Sequence, residues 1–203
     1  AHTYDLAAAL GENGFVRTGY SFTGWSANAS AQTPEYAGGQ NVLNLTDIPD
    51  DYITFYAVWA VNYYNITFDA NGGTGSTGPD SMAYGAALTA PDVTREGHTF
   101  AGWLPVVPET MPAEDTLCVA QWTINQYTVS FDEAGGAEVA DITLDYGTGV
   151  TAPEAPTRTG YTFAGWLPVV PETMPAEDTI CVAQWTINQY TVSFDETGGS
   201  EVA

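Results

Sequence analysis

Two cysteines and two histidines stand among 25 acidic residues in this 203-residue sequence, and any chemistry would have to come from these side chains. A thiol near a glutamine amide, such as Cys181 with Gln184, could condense to a surface thioester. A spacing of three, however, puts the two side chains on opposite faces of a strand. Cys118 and Cys181 lie four positions before Trp122 and Trp185 in near-identical stretches, so they hold one slot twice, which argues against a disulfide between them. The matching residue upstream is Phe55, so the slot is apolar and both thiols are expected to be free, buried and inert. His98 stands where Tyr20 and Tyr161 stand in the matching stretches, so it fills an aromatic slot; His2 lies near the start of the sequence. No nucleophile, base and orienting group recur at one spacing, so no catalytic residue is assigned and the chain reads as a non-enzyme.

Metal and anion chemistry fare no better. Calcium is the natural ion to consider for an acidic extracellular protein, but no D-x-D-x-D-G loop is present. Asp47, Asp50 and Asp51 form the one loose cluster, and no cofactor is expected. The adjacent pairs Glu114–Asp115 and Glu177–Asp178 read as solvated turns. The net charge is −22, with three arginines and no lysine, so nucleic acid and anionic lipid are poor partners and Lys–Asn isopeptide crosslinks are excluded. Arg17, Arg95 and Arg158 hold one slot in three copies and are expected to clamp carboxylate or carbonyl groups. Asn28, Asn44 and Asn65 sit in N-x-Ser/Thr sequons, which matter only in a glycosylating host. No run of 18 residues is apolar, so no membrane insertion is expected in this segment.

The elements that must position these residues follow from a repeat. Trp59, Trp122 and Trp185 are spaced by 63, as are Phe68, Phe131 and Phe194. Thr99–Glu133 and Thr162–Glu196 differ only at Leu117 and Ile180. Residues 1–61 form a partial first repeat that lacks its opening strand and carries a 15-residue insertion, since its tryptophans are 34 apart instead of 19. Residues 62–123 and 124–186 are the second and third repeats, and 187–203 the opening strand of a fourth, as in an internal stretch of a longer protein. "YTVSFD" and "ADITLDYG" alternate as strands, "GYTFAGW" and "TICVAQW" supply two more, and Gly165 suggests a bulge. "TAPEAPTRTG" is left room for a helical turn or two, and "PVVPETMPAED" must be a stiff loop. The expected fold is mostly β (α+β), with small β-β-(short helix)-β-β repeats, mostly antiparallel, arranged as an elongated rod. A unit of about 60 residues is marginal on its own. Trp25, Trp59, Trp103, Trp122, Trp166 and Trp185 are therefore assigned to the core with Cys118 and Cys181, because each large ring removes roughly 150–250 Å² from water.

"YNITFDANGGTGS", "TREGHTFAGW" and "MPAEDTLCVAQW", in that order, resemble the Listeria–Bacteroides repeat family and are similar to the B repeats of internalin-type surface proteins. The resemblance spans nearly the whole chain and implies β-grasp-like modules in secreted or wall-attached bacterial proteins, often adhesins, where repeats act as stalk or host-contact units. It brings no catalytic residues. This chain departs from it in having no lysine and in its fourth-strand cysteines.

The leading functional expectation is an extracellular spacer or stalk in an adhesin or surface filament on a bacterial cell. The linker "TINQ" contains no Gly, Pro or Ser and should restrict hinge motion. The alternative is a module that binds a glycan or host protein through the divergent first repeat and Tyr63 and Tyr64. Partners would be other parts of a larger surface protein or neighbouring copies of the chain. Copies would join head to tail if Tyr190, Val192 and Phe194 were donated as a strand to the first repeat.

Overall fold

The computed structural model describes residues 4–48, 51–194 and 197–199. Twelve strands are formed among these: β1 Ala8–Ala9, β2 Tyr20–Ser26, β3 Asn41–Val42, β4 Tyr56–Val61, β5 Tyr63–Asp69, β6 Thr77–Ala83, β7 His98–Leu104, β8 Thr116–Ile124, β9 Gln126–Asp132, β10 Ile142–Asp145, β11 Tyr161–Leu167 and β12 Thr179–Ile187. By contacts the chain divides into two compact units, Ala1–Thr94 with Ala101–Gln121, and Arg95–Phe100 with Trp122–Ala203.

Two four-stranded sheets have the orders β6-β5-β8-β7 and β10-β9-β12-β11. In each, the outer pairs are antiparallel hairpin partners where registers are resolved, but the two central strands run parallel. Ile66 faces Thr116 and Phe68 faces Cys118 in one sheet; Val129 faces Thr179 and Phe131 faces Cys181 in the other. The central pair corrects the mostly antiparallel reading. Alternation shows that a segment is a strand but not which neighbour it takes, and here the first and last strands of a repeat take each other.

Among the described residues there is no helix, which corrects the expected short one. Residues 151–157 run as an extended loop. Pro153 and Pro156 lack the N–H a helix needs and push Ala152 and Ala155 out of the helical region. The segment closes instead by a 2.8 Å hydrogen bond from the Ala137 N–H to the Thr157 carbonyl. The register of β11 on β12 shifts between Phe163 and Gly165, and that of β2 on β4 between Phe22 and Gly24.

Each four-stranded sheet covers one small core. Ile66, Phe68, Met111 and Cys118 are buried in the first; Val129, Phe131, Met174 and Cys181 take the same places in the second. Half of each buried set thus comes from the opening strand, β5 or β9. Met111 and Met174 reach in from the proline-rich loops, whose backbone is pinned by hydrogen bonds between Met111 and Ala86 and between Met174 and Thr148, both 2.8 Å. The residues before β4 are built differently. β2 and β4 form a two-stranded sheet, and the insertion folds back so that Tyr36 bridges Trp25 and its ring meets Phe55 edge-on at 5.4 Å.

Candidate functional site

The chemistry-bearing residues are scattered, and the structure gives them packing roles. Cys118 and Cys181 are fully buried, free thiols facing Phe68 and Phe131 on the neighbouring strands, and burial pushes both thiols up from their ordinary pKa. Gln184 turns its amide to the Val182 carbonyl at 3.1 Å. Asp51 accepts from the Thr46 hydroxyl at 3.2 Å and the Tyr52 N–H at 2.8 Å; Asp47 is exposed, and Asp50 lies outside the described residues. No group of three His, Cys, Asp or Glu able to hold a metal occurs among the described residues.

The acidic pairs are more than solvated turns. Asp115 accepts from the Asn65 N–H at 2.7 Å, and Asp178 from the Thr128 N–H at 2.8 Å. Each carboxylate therefore holds the opening strand of its own repeat. Two of the arginines, Arg17 and Arg158, differ from expectation. The guanidinium of Arg17 lies 3.7 Å from the centre of the Tyr20 ring, and that of Arg158 lies 3.9 Å from the centre of Tyr161. These are cation–π contacts, favoured because a planar guanidinium stacks on an aromatic face.

All six tryptophans are half-buried. They form edge-on aromatic rows on the flank of each sheet: Phe22 with Trp25 and Trp59, Phe68 with Trp103, Phe100 with Trp122, and Phe163 with Trp166 and Trp185. Indole N–H groups are spent on carbonyls, Trp185 on Glu133 at 2.8 Å and Trp25 on Gly11 at 3.0 Å. The tail residues Tyr190, Val192 and Phe194 are 76%, 74% and 91% exposed, whereas the identical β9 residues Val129 and Phe131 are 0% and 8% exposed.

The most developed polar arrangement is one the sequence reading passed over, a joint built from a glycine, an asparagine and a tyrosine. In the first unit, the Asn62 N–H donates to the Gly19 carbonyl at 2.8 Å, the Ser21 hydroxyl donates to Asn62 Oδ1 at 2.6 Å, and the Tyr84 N–H donates to the Asn62 carbonyl at 2.9 Å. The Tyr84 ring lies against Gly19, which has φ +76°, and meets Tyr20 edge-on at 5.9 Å. A Cβ on Gly19 would overlap that ring.

The second unit repeats the set. Asn125 bonds Gly97, Thr99 bonds Asn125, Tyr146 bonds the Asn125 carbonyl, and the Tyr146 ring covers Gly97 at φ +67° and meets His98 edge-on at 6.1 Å. Burial, with the charge and hydrogen bonding of Glu96, raises the Tyr146 phenol above its ordinary pKa. The available signal was periodicity: Asn62, Asn125 and Asn188 are 63 apart, and a glycine follows each Arg-x pair.

These elements define a tandem β-repeat protein with polar joints and small aromatic-flanked cores. The chain belongs to the Listeria–Bacteroides repeat family, whose model matches residues 3–58, 64–105 and 127–169. It is 33% identical over 93% of its length to a protein of Evansella cellulosilytica named as a Gly-rich membrane protein, of which it covers 23%. A second Evansella cellulosilytica protein, named as a membrane protein, is 35% identical over 74% of the chain, which covers 25% of it. Internalin H of Listeria monocytogenes is 38% identical over 51% of the chain, which covers 20% of it. The chain thus spans about a quarter of the length of these relatives. No helix among the described residues is long and apolar enough to cross a membrane.

Proposed function

We propose that this chain is a non-catalytic spacer within a bacterial surface protein, a stalk that bears tension between a cell and what the parent protein touches. One observation carries the reading: the strand by which the chain enters a repeat and the strand by which it leaves lie side by side and parallel, β5 on β8 and β9 on β12. A pull on the two ends of such a pair loads all its hydrogen bonds together in shear. A hairpin pulled at its open end loses its bonds one at a time. The family and the name of internalin H support a place at the cell surface.

The test is single-molecule stretching. Pulled from its ends, the chain should unfold in steps of roughly 200 Å, the extended length of one 63-residue period. The unfolding force should exceed that found when the third repeat is pulled through residues 126 and 145, which face each other across the β9–β10 hairpin. Equal forces in the two geometries would refute the spacer reading.

A further inference from the structure

The three N-x-Ser/Thr sequons, at Asn28, Asn44 and Asn65, have the same chemistry in sequence and very different surroundings in the fold. Transfer of a sugar to such a motif uses two groups. One is the asparagine Nδ2, which forms the new bond; the other is the hydroxyl two residues on, by which the transferase reads the motif. At Asn44 both are spent. Its Nδ2 donates to Asp5 Oδ1 at 2.7 Å, and the Thr46 hydroxyl donates to Asp51 Oδ2 at 3.2 Å. At Asn65 the Nδ2 donates to Asp115 Oδ2 at 3.3 Å, and the residue lies within β5, a strand paired on both sides by β6 and β8. A transferase would have to open that sheet to reach it, against the local stability of a paired central strand.

Asn28 differs from both. Residues 27–30 are exposed, in a loop whose base is closed by hydrogen bonds of 2.7 and 3.0 Å between the backbones of Trp25 and Tyr36. The Ser30 N–H donates to Asn28 Oδ1 at 2.9 Å, and the Ala31 N–H donates to the Asn28 carbonyl at 3.1 Å, which fixes a tight turn. The oxygen of the Asn28 amide therefore faces into the turn. Among the described residues, neither Asn28 Nδ2 nor the Ser30 hydroxyl makes a hydrogen bond. The two groups that the transfer needs are the two that the fold leaves open. We propose that Asn28 is the acceptor of an N-linked glycan, added to the folded chain by an oligosaccharyltransferase, and that Asn44 and Asn65 stay unmodified. The donor is a lipid-pyrophosphate oligosaccharide. Nδ2 attacks the anomeric carbon of the first sugar, and the bond from that carbon to the pyrophosphate oxygen breaks. The lipid pyrophosphate leaves with the electron pair, and the amide gives up one proton to a base of the transferase.

The test incubates the folded 203-residue chain with a transferase that reads N-x-Ser/Thr and its lipid-pyrophosphate oligosaccharide, beside peptides carrying residues 24–34, 40–50 and 61–71. Mass spectrometry with peptide mapping should find glycan on every peptide but only on Asn28 of the folded chain. Asn28→Gln should abolish the modification of the folded chain. Ser30→Ala should do the same, although it keeps the backbone N–H that makes the turn, because it removes the hydroxyl. Ser30→Thr should retain the modification. Both positions are exposed, so the melting of these variants should match that of the parent chain, which separates lost acceptance from lost folding. A folded chain left bare while the Asn28 peptide is glycosylated overturns the proposal. Glycan on Asn44 or Asn65 of the folded chain overturns it as well, since the hydrogen bonds and the sheet would then protect nothing.

Discussion

Gly97→Ala and Gly160→Ala should have very different effects on stability, although the two glycines share a conformation and a Thr-Phe-Ala-Gly-Trp run that begins two residues later. Both have positive φ, +67° and +79°, so the added side chain brings a left-handed backbone penalty of about 1–2 kcal/mol at either position. At Gly160 that is the whole effect, because no described residue lies within 4 Å of the added methyl. At Gly97 the new methyl displaces the Tyr146 ring. That ring is half-buried, so roughly 100 Å² of apolar surface returns to water, about 2.5 kcal/mol at 25 cal/mol per Å². Gly97→Ala should therefore cost about 3–5 kcal/mol in total, some 2–3 more than Gly160→Ala. Urea unfolding followed by tryptophan fluorescence, at concentrations where the chain is monomeric, gives both values. Costs within about 0.5 kcal/mol of each other, the usual limit of additivity, would refute the claim that the tyrosine closes the joint.

Trp166→Ala should cost about 2–4 kcal/mol, and Phe131→Ala the larger share of the 3–5 typical of a buried aromatic, because the phenylalanine lies inside the core and the indole on its flank; the reverse order in chemical denaturation would contradict this. Cys118 and Cys181 should resist a thiol reagent in the native protein and react on unfolding, and rapid native labelling would show the slot is open. Stability should fall in alkali: both thiols are raised above 9.0 by burial and Tyr146 above 10.0 by burial and Glu96, so their contribution is complete below those ordinary values and is lost as pH rises through the folded ones. A melting temperature constant from pH 8 to beyond 10 would exclude it. Calcium should leave the melting temperature unchanged, since the Asp51 carboxylate is engaged with Thr46 and Tyr52; a saturable rise on adding calcium would place an ion in the structure.

The sequence by itself determined the period, the strands and the chemistry of the cysteine slot. These are local or repetitive properties. Alternation in "YTVSFD" marks a strand wherever it falls, and a slot that takes Phe55 in one copy is apolar in the others. Pro153 and Pro156 told against helix, and no helix forms there. What only the tertiary structure decided is what each face meets. No periodicity states that β9 lies parallel to β12, that Met174 rather than Trp166 fills the centre, or that Arg158 rests on Tyr161 instead of a carboxylate. Gly97 carries no local mark of the ring that covers it, because Tyr146 is 49 residues away. The physical reason is that burial and pairing are properties of two surfaces at once. A strand sequence defines its own two faces, and the partner for each is selected only when the chain folds and the apolar and hydrogen-bonding groups on both sides must be satisfied together.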